Sequence, residues 1–188
     1  MDKKTLHIQL IESALQGNQQ AFRRLYEMYK NSLFMVCLRY GKDRSTAQDY
    51  LQDAFVNICK NLNQFDTSKG AFESWAKRIT VNVCLADIRK NTLYSVNING
   101  AEHVESNDVS ALSQLSLQEM LVHIQQLPYG YRTVFNMYVI DGYSHKEIAA
   151  ELNVSISTSK SQLMKARNLL QKKIVVNQRT YSNNLEHG

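Results

Sequence analysis

Residues 144–174 read SHKEIAAELNVSISTSKSQLMKARNLLQKKI, and the first half of this stretch has the layout of a helix-turn-helix. Ser144 and Glu147 have the spacing of a capping box, which marks the start of the first helix. Asn153 falls where the turn needs a left-handed residue, a place that glycine usually takes and asparagine tolerates. The stretch therefore predicts two helices joined by a tight turn. The cap of the second helix is then one of two serines, Ser155 or Ser157.

The second helix of this stretch is basic throughout. No acidic residue stands between Ser155 and Lys173. A helix of this kind can enter a major groove, with its N-terminal side chains near base edges and its N-terminal amides near phosphate. The alternative is a basic, solvated helix on a structural hairpin. On the first interpretation the candidate DNA contacts are Ser155, Ser157, Thr158, Lys160, Ser161, Lys165 and Arg167.

The composition favours an all-α protein. Hydrophobic residues make up 44% of the 188, which is enough to form cores. Seven glycines and a single proline are too few for the many turns of a protein built from strands. The net charge of +5 suits a partner that carries negative charge. The basic residues lie in two flanks, because residues 91–126 contain no Lys or Arg and four acidic residues. We therefore expect two basic units with an acidic stretch between them.

Hydrophobic periodicity divides the chain into two small helical domains. Apolar residues recur at steps of three and four in four N-terminal segments, the last of which runs out near Asn91. This pattern predicts a helical bundle over residues 1–92. Residues 93–113 have no sustained period and predict an acidic, flexible linker. Periodicity returns over 114–178, which predicts a smaller domain that contains the helix-turn-helix, and a tail follows at 179–188.

The cysteines and the apolar runs bear on the compartment. Cys37, Cys59 and Cys84 lie far apart among apolar neighbours, without the C-x-x-C spacing of a zinc or redox site. We interpret them as buried thiols of a reducing compartment. The longest apolar run, 33–38, is far too short to span a bilayer, and the first residues are too polar for a secretory signal. We therefore expect a soluble, cytoplasmic protein with no membrane insertion.

The sequence contains no arrangement that indicates catalysis. It has no glycine-rich phosphate loop, no Ser-His-Asp arrangement and no paired carboxylates of a catalytic pocket. We predict that the protein is not an enzyme and uses no cofactor and no metal. The histidines have no metal-ligand spacing and are interpreted as ordinary surface or interface residues: His7, His103, His123 and His145.

Two parts of the chain resemble conserved regions of the bacterial sigma-70 family of RNA polymerase sigma factors. Residues 131–170 read YRTVFNMYVIDGYSHKEIAAELNVSISTSKSQLMKARNLL, which is similar to the fourth conserved region. Residues 47–66 and 72–91 read AQDYLQDAFVNICKNLNQFD and FESWAKRITVNVCLADIRKN, which are similar to the second. Their order, with no large insertion, resembles the short extracytoplasmic-function class over residues 22–174. The departures are Ser159 where Val is common, Gln162 and Lys165 where Arg is common, and Ala76 for a frequent Leu.

The resemblance implies a promoter-specificity factor that carries core RNA polymerase to promoter DNA and helps to open it. The expected partners are the largest and second-largest subunits of core polymerase, promoter DNA and an anti-sigma factor. The second domain would bind the minus-thirty-five element. The linker would either pass near the catalytic cleft of the polymerase or serve only as a solvated tether.

One polar face of the third predicted helix is the candidate polymerase-binding surface. Four polar residues lie at helical steps opposite the apolar stripe of this helix, so we expect them to share one face. The resemblance implies that this face docks on the clamp helices of the largest polymerase subunit, and the alternative is simple solvation. The four residues are Asp49, Gln52, Asp53 and Asn57.

The resemblance implies that the segment following this helix is the site for the minus-ten element. Promoter opening takes a base out of the stack, and aromatic and amide groups can hold it while basic groups hold its phosphates. Trp75 lies on the apolar stripe and is also a candidate core residue, so Asn82 and the loop are better candidates for capturing the base. The full set is Phe65, Asp66, Ser68, Lys69, Phe72, Trp75, Lys77, Arg78, Asn82, Arg89 and Lys90.

The sequence is also compatible with two other functions. An autonomous helix-turn-helix regulator would use the N-terminal bundle for dimerisation or sensing and would not need polymerase. A helical adaptor would use its basic faces to bind acidic proteins. The first predicts tight duplex binding by the isolated protein, and the second predicts competition by heparin without promoter preference.

Overall fold

The computed structural model describes the backbone of residues 3–94 and 115–185, and the side chains of residues 7–90 and 119–172. Every regular element in these ranges is a helix, which confirms the all-α prediction. None of the described helices is long and apolar enough to cross a membrane.

The chain divides into two compact units, Met1–Tyr94 and Ser95–Gly188. The last helix of the first unit ends at Tyr94, past its predicted end near Asn91. No glycine or proline stands between these two residues to stop the helix. The predicted linker at 93–113 therefore begins inside this helix, and its remaining residues lie outside the described ranges.

Four helices form the first unit, and side-chain caps start two of them. The helices are α1 Lys3–Leu15, α2 Gln19–Tyr40, α3 Arg44–Asn61 and α4 Phe72–Tyr94. Asn18 Oδ1 accepts hydrogen bonds from the amides of Gln20 and Ala21, at the start of α2. Asp43 Oδ1 accepts a hydrogen bond of 2.7 Å from the amide of Thr46, at the start of α3. Both caps satisfy amide groups that have no partner within the first turn of a helix.

The apolar stripes of these helices pack against one another. Leu25 and Leu33 of α2 and Ile58 of α3 are almost completely buried. The hydroxyl of Tyr50 donates a hydrogen bond of 2.7 Å to Asp87 Oδ2, which joins α3 to α4. The core therefore fixes α3 and α4, the two helices that carry most of the predicted functional residues of this unit.

The three cysteines differ in burial. Cys37 and Cys84 are buried as predicted, but Cys59 is exposed, so the prediction of a buried thiol is wrong there. Side chains of a helix turn by about 100° per residue, and the preceding Ile58 takes the buried position of α3. The pKa of the Cys84 thiol is raised, first by its hydrogen bond with Cys37 and then by burial. The Cys84 thiol therefore stays protonated, which makes it a poor nucleophile.

The described part of the second unit contains four α-helices and one π-helical turn. They are α5 Leu115–Gln125, α6 Tyr129–Phe135, the π-helical turn Asn136–Ile140, α7 His145–Leu152 and α8 Ile156–Leu185. Val134, Met137 and Ile148 are fully buried between these elements. The buried Arg132 donates a hydrogen bond of 2.9 Å from Nη1 to the carbonyl oxygen of Gln125. This cation satisfies a carbonyl group at the C-terminus of α5.

The signals of the helix-turn-helix are confirmed. Ser144 and Glu147 make both hydrogen bonds of the capping box at the start of α7. Asn153 has φ 53° and ψ 46°, the left-handed conformation that the turn requires. The amide of Thr158 donates a hydrogen bond of 2.9 Å to Ser155 Oγ, so Ser155 caps α8. The start and end of α7 and the start of α8 are therefore where local sequence signals predict, but α8 continues to Leu185, into the segment 179–188 that was predicted to be a tail.

Candidate functional site

A network of hydroxyl groups orders the start of α8. Ser155 Oγ lies 2.8 Å from Ser157 Oγ and 2.7 Å from Thr158 Oγ1. Ser161 Oγ donates a hydrogen bond of 3.0 Å to the carbonyl oxygen of Thr158. Ser155 Oγ is fully used by these contacts and by the amide of Thr158, but the hydroxyl oxygens of Ser157, Thr158 and Ser161 can each still accept a hydrogen bond. The start of α8 is therefore a preorganised polar surface of the kind that can meet a base edge or a phosphate.

The outward face of α8 has two basic edges. Lys160 and Arg167 lie seven positions apart on one edge, and Thr158 and Lys165 lie seven apart on the other. Seven residues complete nearly two helical turns, so each pair projects in almost the same direction. The three cationic side chains of these edges are exposed. The structure thus brings the predicted contacts of α8 together on one side of the helix.

Two further side chains lie between these edges and were missed in the sequence analysis. Met164 is 57% exposed, and Asn168 is exposed one turn further along. Both share a face with Ser161, which lies three and seven positions before them. That spacing was the signal that could have revealed them. An amide and an apolar side chain are groups that can contact adenine and the methyl group of thymine.

On each basic edge, one cationic side chain lies over a tyrosine ring. Lys165 Nζ lies 5.8 Å from the centroid of the Tyr131 ring, and the guanidinium of Arg167 lies 5.9 Å from that of Tyr138. Cation–π contacts at this distance contribute about 0.5–1 kcal/mol at exposed sites. They restrict the positions of the two cations without neutralising their charge.

The inward side of α8 carries a polar contact with α7. The hydroxyl of the fully buried Ser159 lies 2.9 Å from His145 Nδ1. The imidazole of His145 stacks on Tyr138, with ring centroids 4.4 Å apart. Desolvation lowers the pKa of His145, and the nearby charges of Lys160 and Arg167 lower it further. This contact was not predicted from the sequence, although the serine in place of the common Val at 159 was an available signal.

A face of α4 combines basic and amide groups. Arg78, Asn82 and Arg89 are exposed, and they lie within about 40° of one another around the helix axis. The partly buried Trp75 lies about 20° beyond Asn82. Two guanidinium groups beside an amide and an indole ring are the groups that can hold an unstacked base and its phosphates.

Two predicted contacts lie outside this face of α4. Lys77 makes an ion pair of 2.7 Å with Glu73, one turn before it. Lys90 lines a groove between α3 and α4 instead, about 120° from Arg78 around the axis. The structure therefore does not bring these two lysines together with Arg78 and Asn82.

An aromatic cluster supports the loop that precedes α4. Phe72 lies in the core, 5% exposed, with its ring centroid 5.3 Å from that of Phe65 and 5.5 Å from that of Trp75. Phe65 and Trp75 are themselves partly buried against the same core. Phe72 therefore supports the loop from beneath, while Phe65 and Trp75 each keep an accessible edge.

The loop itself is closed by an aspartate. Asp66 Oδ1 accepts hydrogen bonds from the amide and hydroxyl of Ser68, at 2.9 and 2.6 Å. The Lys69 ammonium lies 3.5 Å from Asp66 Oδ2. The side-chain hydrogen bond from Ser68, more than the charge of Lys69, lowers the pKa of Asp66. The loop thus has a defined turn next to the face of α4.

The predicted polymerase-binding residues of α3 line two grooves, and the exposed strip of α3 between these grooves is called the ridge. Asp49, Asp53 and Asn57 line a groove of about 300 Å³ between α3 and α4. Gln52 lines a separate groove of about 1030 Å³ between α2 and α3. The structure brings three of the four residues together, and Gln52 lies about 60° to the other side of Asp49.

The histidines were predicted to be ordinary surface or interface residues rather than metal ligands. Within the described ranges there is no group of three or more His, Cys, Asp or Glu side chains that could hold a metal ion. His7 Nδ1 lies 3.2 Å from the hydroxyl of Tyr29, and His103 lies outside the described residues. The candidate surfaces consist of hydrogen-bonding, charged and stacking groups.

Both units are similar to known proteins. The family model of Sigma-70 region 2 matches residues 25–93, and that of Sigma-70, region 4 matches residues 117–170. The ECF RNA polymerase sigma factor SigW of Bacillus subtilis is 28% identical over 180 residues, which cover 87% of this chain and 94% of SigW. The ECF RNA polymerase sigma-E factor of Escherichia coli is 29% identical over 178 residues, which cover 88% of this chain and 92% of the relative.

Among solved structures, a sigma factor has a similar fold. The sigma factor RpoE of Bartonella quintana, in complex with the anti-sigma factor NepR, aligns with a TM-score of 0.52 and 22% identity. The alignment covers 82% of this chain and 97% of RpoE.

Proposed function

Because the chain belongs to the extracytoplasmic-function class of the sigma-70 family, which binds core RNA polymerase and directs it to promoters, we propose that its two units divide this work. The first unit docks on the polymerase through α3 and holds the opened minus-ten element on α4. The second unit binds the minus-thirty-five element as duplex DNA through α8. The domains proposed for these roles are residues 1–92 and 114–178, with 93–113 as the tether.

The presence of two separate DNA-facing surfaces supports this division most directly. The face of α4 carries Arg78, Asn82 and Arg89, and the face of α8 carries Lys160 and Arg167. An autonomous regulator needs only the second of these faces. The first combines a partly exposed indole with amide and guanidinium groups, which suits an unstacked base rather than a closed duplex.

The proposed polymerase contact is the exposed ridge of α3. Asp49 and Asp53 lie on one flank and Gln52 on the other, so a helical element laid along the ridge can contact all three. The Asp49→Ala, Gln52→Ala, Asp53→Ala triple variant should bind core polymerase more weakly and keep its helicity. A matched control removes two carboxylates and one amide from exposed positions of α1 and α2, in the variant Glu12→Ala, Gln20→Ala, Glu27→Ala.

The decisive experiment is run-off transcription with core polymerase, this protein and a genomic promoter library, omitting each component in turn. Defined transcripts should appear only when both proteins are present. The α3 triple variant should reduce them, and the matched control should not. Promoter-specific duplex binding without polymerase, together with equal transcription by both triple variants, would favour the autonomous regulator.

The protein acts in this scheme by binding rather than by catalysis, and it works in the cytoplasm beside the polymerase. An anti-sigma factor is proposed as a further partner, since the structural relative RpoE is bound to one. Such an inhibitor would cover the ridge of α3 or a DNA-facing surface. It would be detected as a protein that abolishes the run-off products and is displaced by excess core polymerase.

A further inference from the structure

The contact between Ser159 and His145 lies directly beneath the surface of α8 that faces outward. Ser159 is fully buried, and it stands between Thr158 and Lys160, two of the proposed DNA contacts. A buried hydroxyl needs a hydrogen-bond partner, because leaving it without one destabilises the fold by about 1–3 kcal/mol. The imidazole of His145 supplies a partner at 2.9 Å from the neighbouring helix.

His145 also has a fixed position of its own. It is the first residue of α7 and directly follows the Ser144 cap, so the capped helix end restrains its backbone. Its ring lies nearly parallel to that of Tyr138, at an interplanar angle of 24° and a centroid distance of 4.4 Å. Stacking and capping together leave the imidazole little freedom to follow α8 if that helix shifts.

Tyr138 extends the contact to a second point on α8. The same ring that stacks on His145 lies 5.9 Å from the guanidinium of Arg167, two turns after Ser159. The imidazole therefore touches α8 directly at Ser159 and, through Tyr138, at Arg167. Two points of contact on one helix restrain both its position and its rotation about its axis.

From this geometry we infer that His145 is a positioning residue for promoter recognition, which holds α8 so that Thr158, Lys160 and Arg167 face the minus-thirty-five element. The inference rests on the proposed function of α8 and adds a residue that does not itself face outward with them. A small rotation of α8 displaces its outward side chains from the base edges, and productive recognition tolerates errors of only about 0.5 Å or 10–20°.

Substitutions at the two positions separate the hydrogen bond from the ring contact. His145→Phe keeps a ring against Tyr138 but leaves the Ser159 hydroxyl without the imidazole. His145→Phe combined with Ser159→Val removes the hydroxyl as well and creates an apolar pair. His145→Asn keeps a polar atom near the position of Nδ1 and loses the ring. The double variant is the critical one, since removing both partners of a buried hydrogen bond can be nearly neutral.

The test uses holoenzyme assembled from core polymerase and the full chain. The probes are a promoter selected by the wild-type holoenzyme from genomic DNA and the same promoter with its minus-thirty-five element scrambled. The measured quantity is the ratio of run-off product from the intact and scrambled templates, below the unfolding temperature. His145→Phe should lower this ratio about fivefold, and the double variant should return it to within about twofold of wild type.

A purely structural role of His145 would lower transcription from both templates equally and leave the ratio unchanged, which would overturn the inference. A double variant that is folded by circular dichroism but has a ratio as low as His145→Phe would also overturn it. A wild-type ratio of about one would instead overturn the assignment of α8 itself, and with it this inference. That failure is distinguishable because it appears before any residue is changed.

Discussion

The hydrogen bond between Tyr50 and Asp87 joins residues that are far apart in the chain. The phenol donates to Asp87 Oδ2 at 2.7 Å, and Tyr50 is buried. Hydrogen bonds to charged acceptors contribute more to stability than neutral ones. This contact therefore stabilises the packing of α4 on α3, on which the position of the proposed minus-ten face depends.

We expect Tyr50→Phe to lower the free energy of unfolding of the first unit by about 1–2 kcal/mol, since it removes the donor and leaves a partly buried carboxylate. Urea unfolding followed by circular dichroism measures this difference. Tyr26→Phe is the matched control, because the Tyr26 ring keeps its contact with Phe55, 4.5 Å away between centroids. Equal losses in the two variants would show that the Tyr50 hydroxyl has no special role.

His145 should make the stability of the second unit depend on pH. Its pKa in the folded protein is lowered below the ordinary value of 6.5, mainly by desolvation and also by Lys160 and Arg167. As the pH falls below 6.5, the unfolded chain therefore takes up this proton before the folded one. The free energy of unfolding should decrease across that window and be greatest above it.

The measurement is thermal unfolding of wild type and His145→Asn between about pH 5 and pH 8. The variant should lose part of the pH dependence, because its side chain does not titrate. A wild-type stability that rises as the pH falls through this window would contradict the expected sign.

For individual residues, sequence signals predict contacts between neighbours in the chain and miss contacts between residues of different helices. The capping box of Ser144 and the left-handed Asn153 involve residues within a few positions, so their geometry follows from spacing alone. The contact of His145 with Ser159 spans two helices, and nothing in the local pattern specifies it. Only the unusual hydroxyl at 159 indicated that a partner was needed.

The helix α8 presents its basic residues in a defined order along its length. Lys160 is exposed near the start of the helix and shares an edge with Arg167. In a helix-turn-helix, the N-terminal residues of the second helix are the ones that contact base edges. Lys160 is therefore placed where either a base or a phosphate can be contacted.

We expect Lys160→Ala to reduce the affinity of the holoenzyme for the minus-thirty-five element. The loss should be about 1–3 kcal/mol if the ammonium reads a base, or the salt dependence should fall by about one unit if it contacts phosphate. A salt titration of promoter binding distinguishes the two. Lys172→Ala, an exposed lysine more than three turns further along α8, is the matched control. An unchanged affinity and salt slope would place the recognition surface elsewhere.

The sequence predicts where helices begin more accurately than which of their side chains are buried and which neighbours they face. Periodicity placed Asp49, Gln52 and Asp53 on the exposed side of α3, within about 100° of one another, but it did not show that these residues line two different grooves. It also predicted a buried Cys59, which is exposed. Both differences have one cause, because the width of a buried stripe depends on which neighbours pack against the helix.

Across the whole molecule, each of the two units has one proposed DNA-facing surface. Contacts with phosphate dominate the affinity of such surfaces and do not depend on sequence. A single surface on one unit therefore binds DNA with little selectivity. Selectivity arises when both elements of a promoter are bound at once, as tethered binding sites raise the effective concentration of the second contact.

Because the face of α4 suits an unstacked base, it has no target in closed duplex DNA, so we expect the free protein to bind promoter and unrelated DNA with similar, salt-sensitive affinity. Adding core polymerase should create a preference for the promoter. Competition between a labelled promoter fragment and unlabelled DNA, with and without polymerase, measures this preference. A strong preference without polymerase would contradict the expectation and favour an autonomous regulator.

The fold class and the family were predictable because they depend on patterns that extend over many residues. Helical periodicity and two motifs in a fixed order persist despite departures such as Gln162 and Lys165. The exact set of surface residues was less predictable, since Phe72 lies in the core and Met164 is exposed. Whether a side chain is accessible depends on its packing partners, which the chain acquires only on folding.

The unequal burial of the cysteines gives the folded protein a single thiol that alkylating reagents can reach. Cys59 lies on the surface of α3, while Cys37 and Cys84 are enclosed in the core. The stoichiometry of alkylation should therefore be one per chain in the native state and three once the first unit opens. Cys59 lines the same groove as Gln52, so a fluorophore attached there would report polymerase docking without any engineered attachment point.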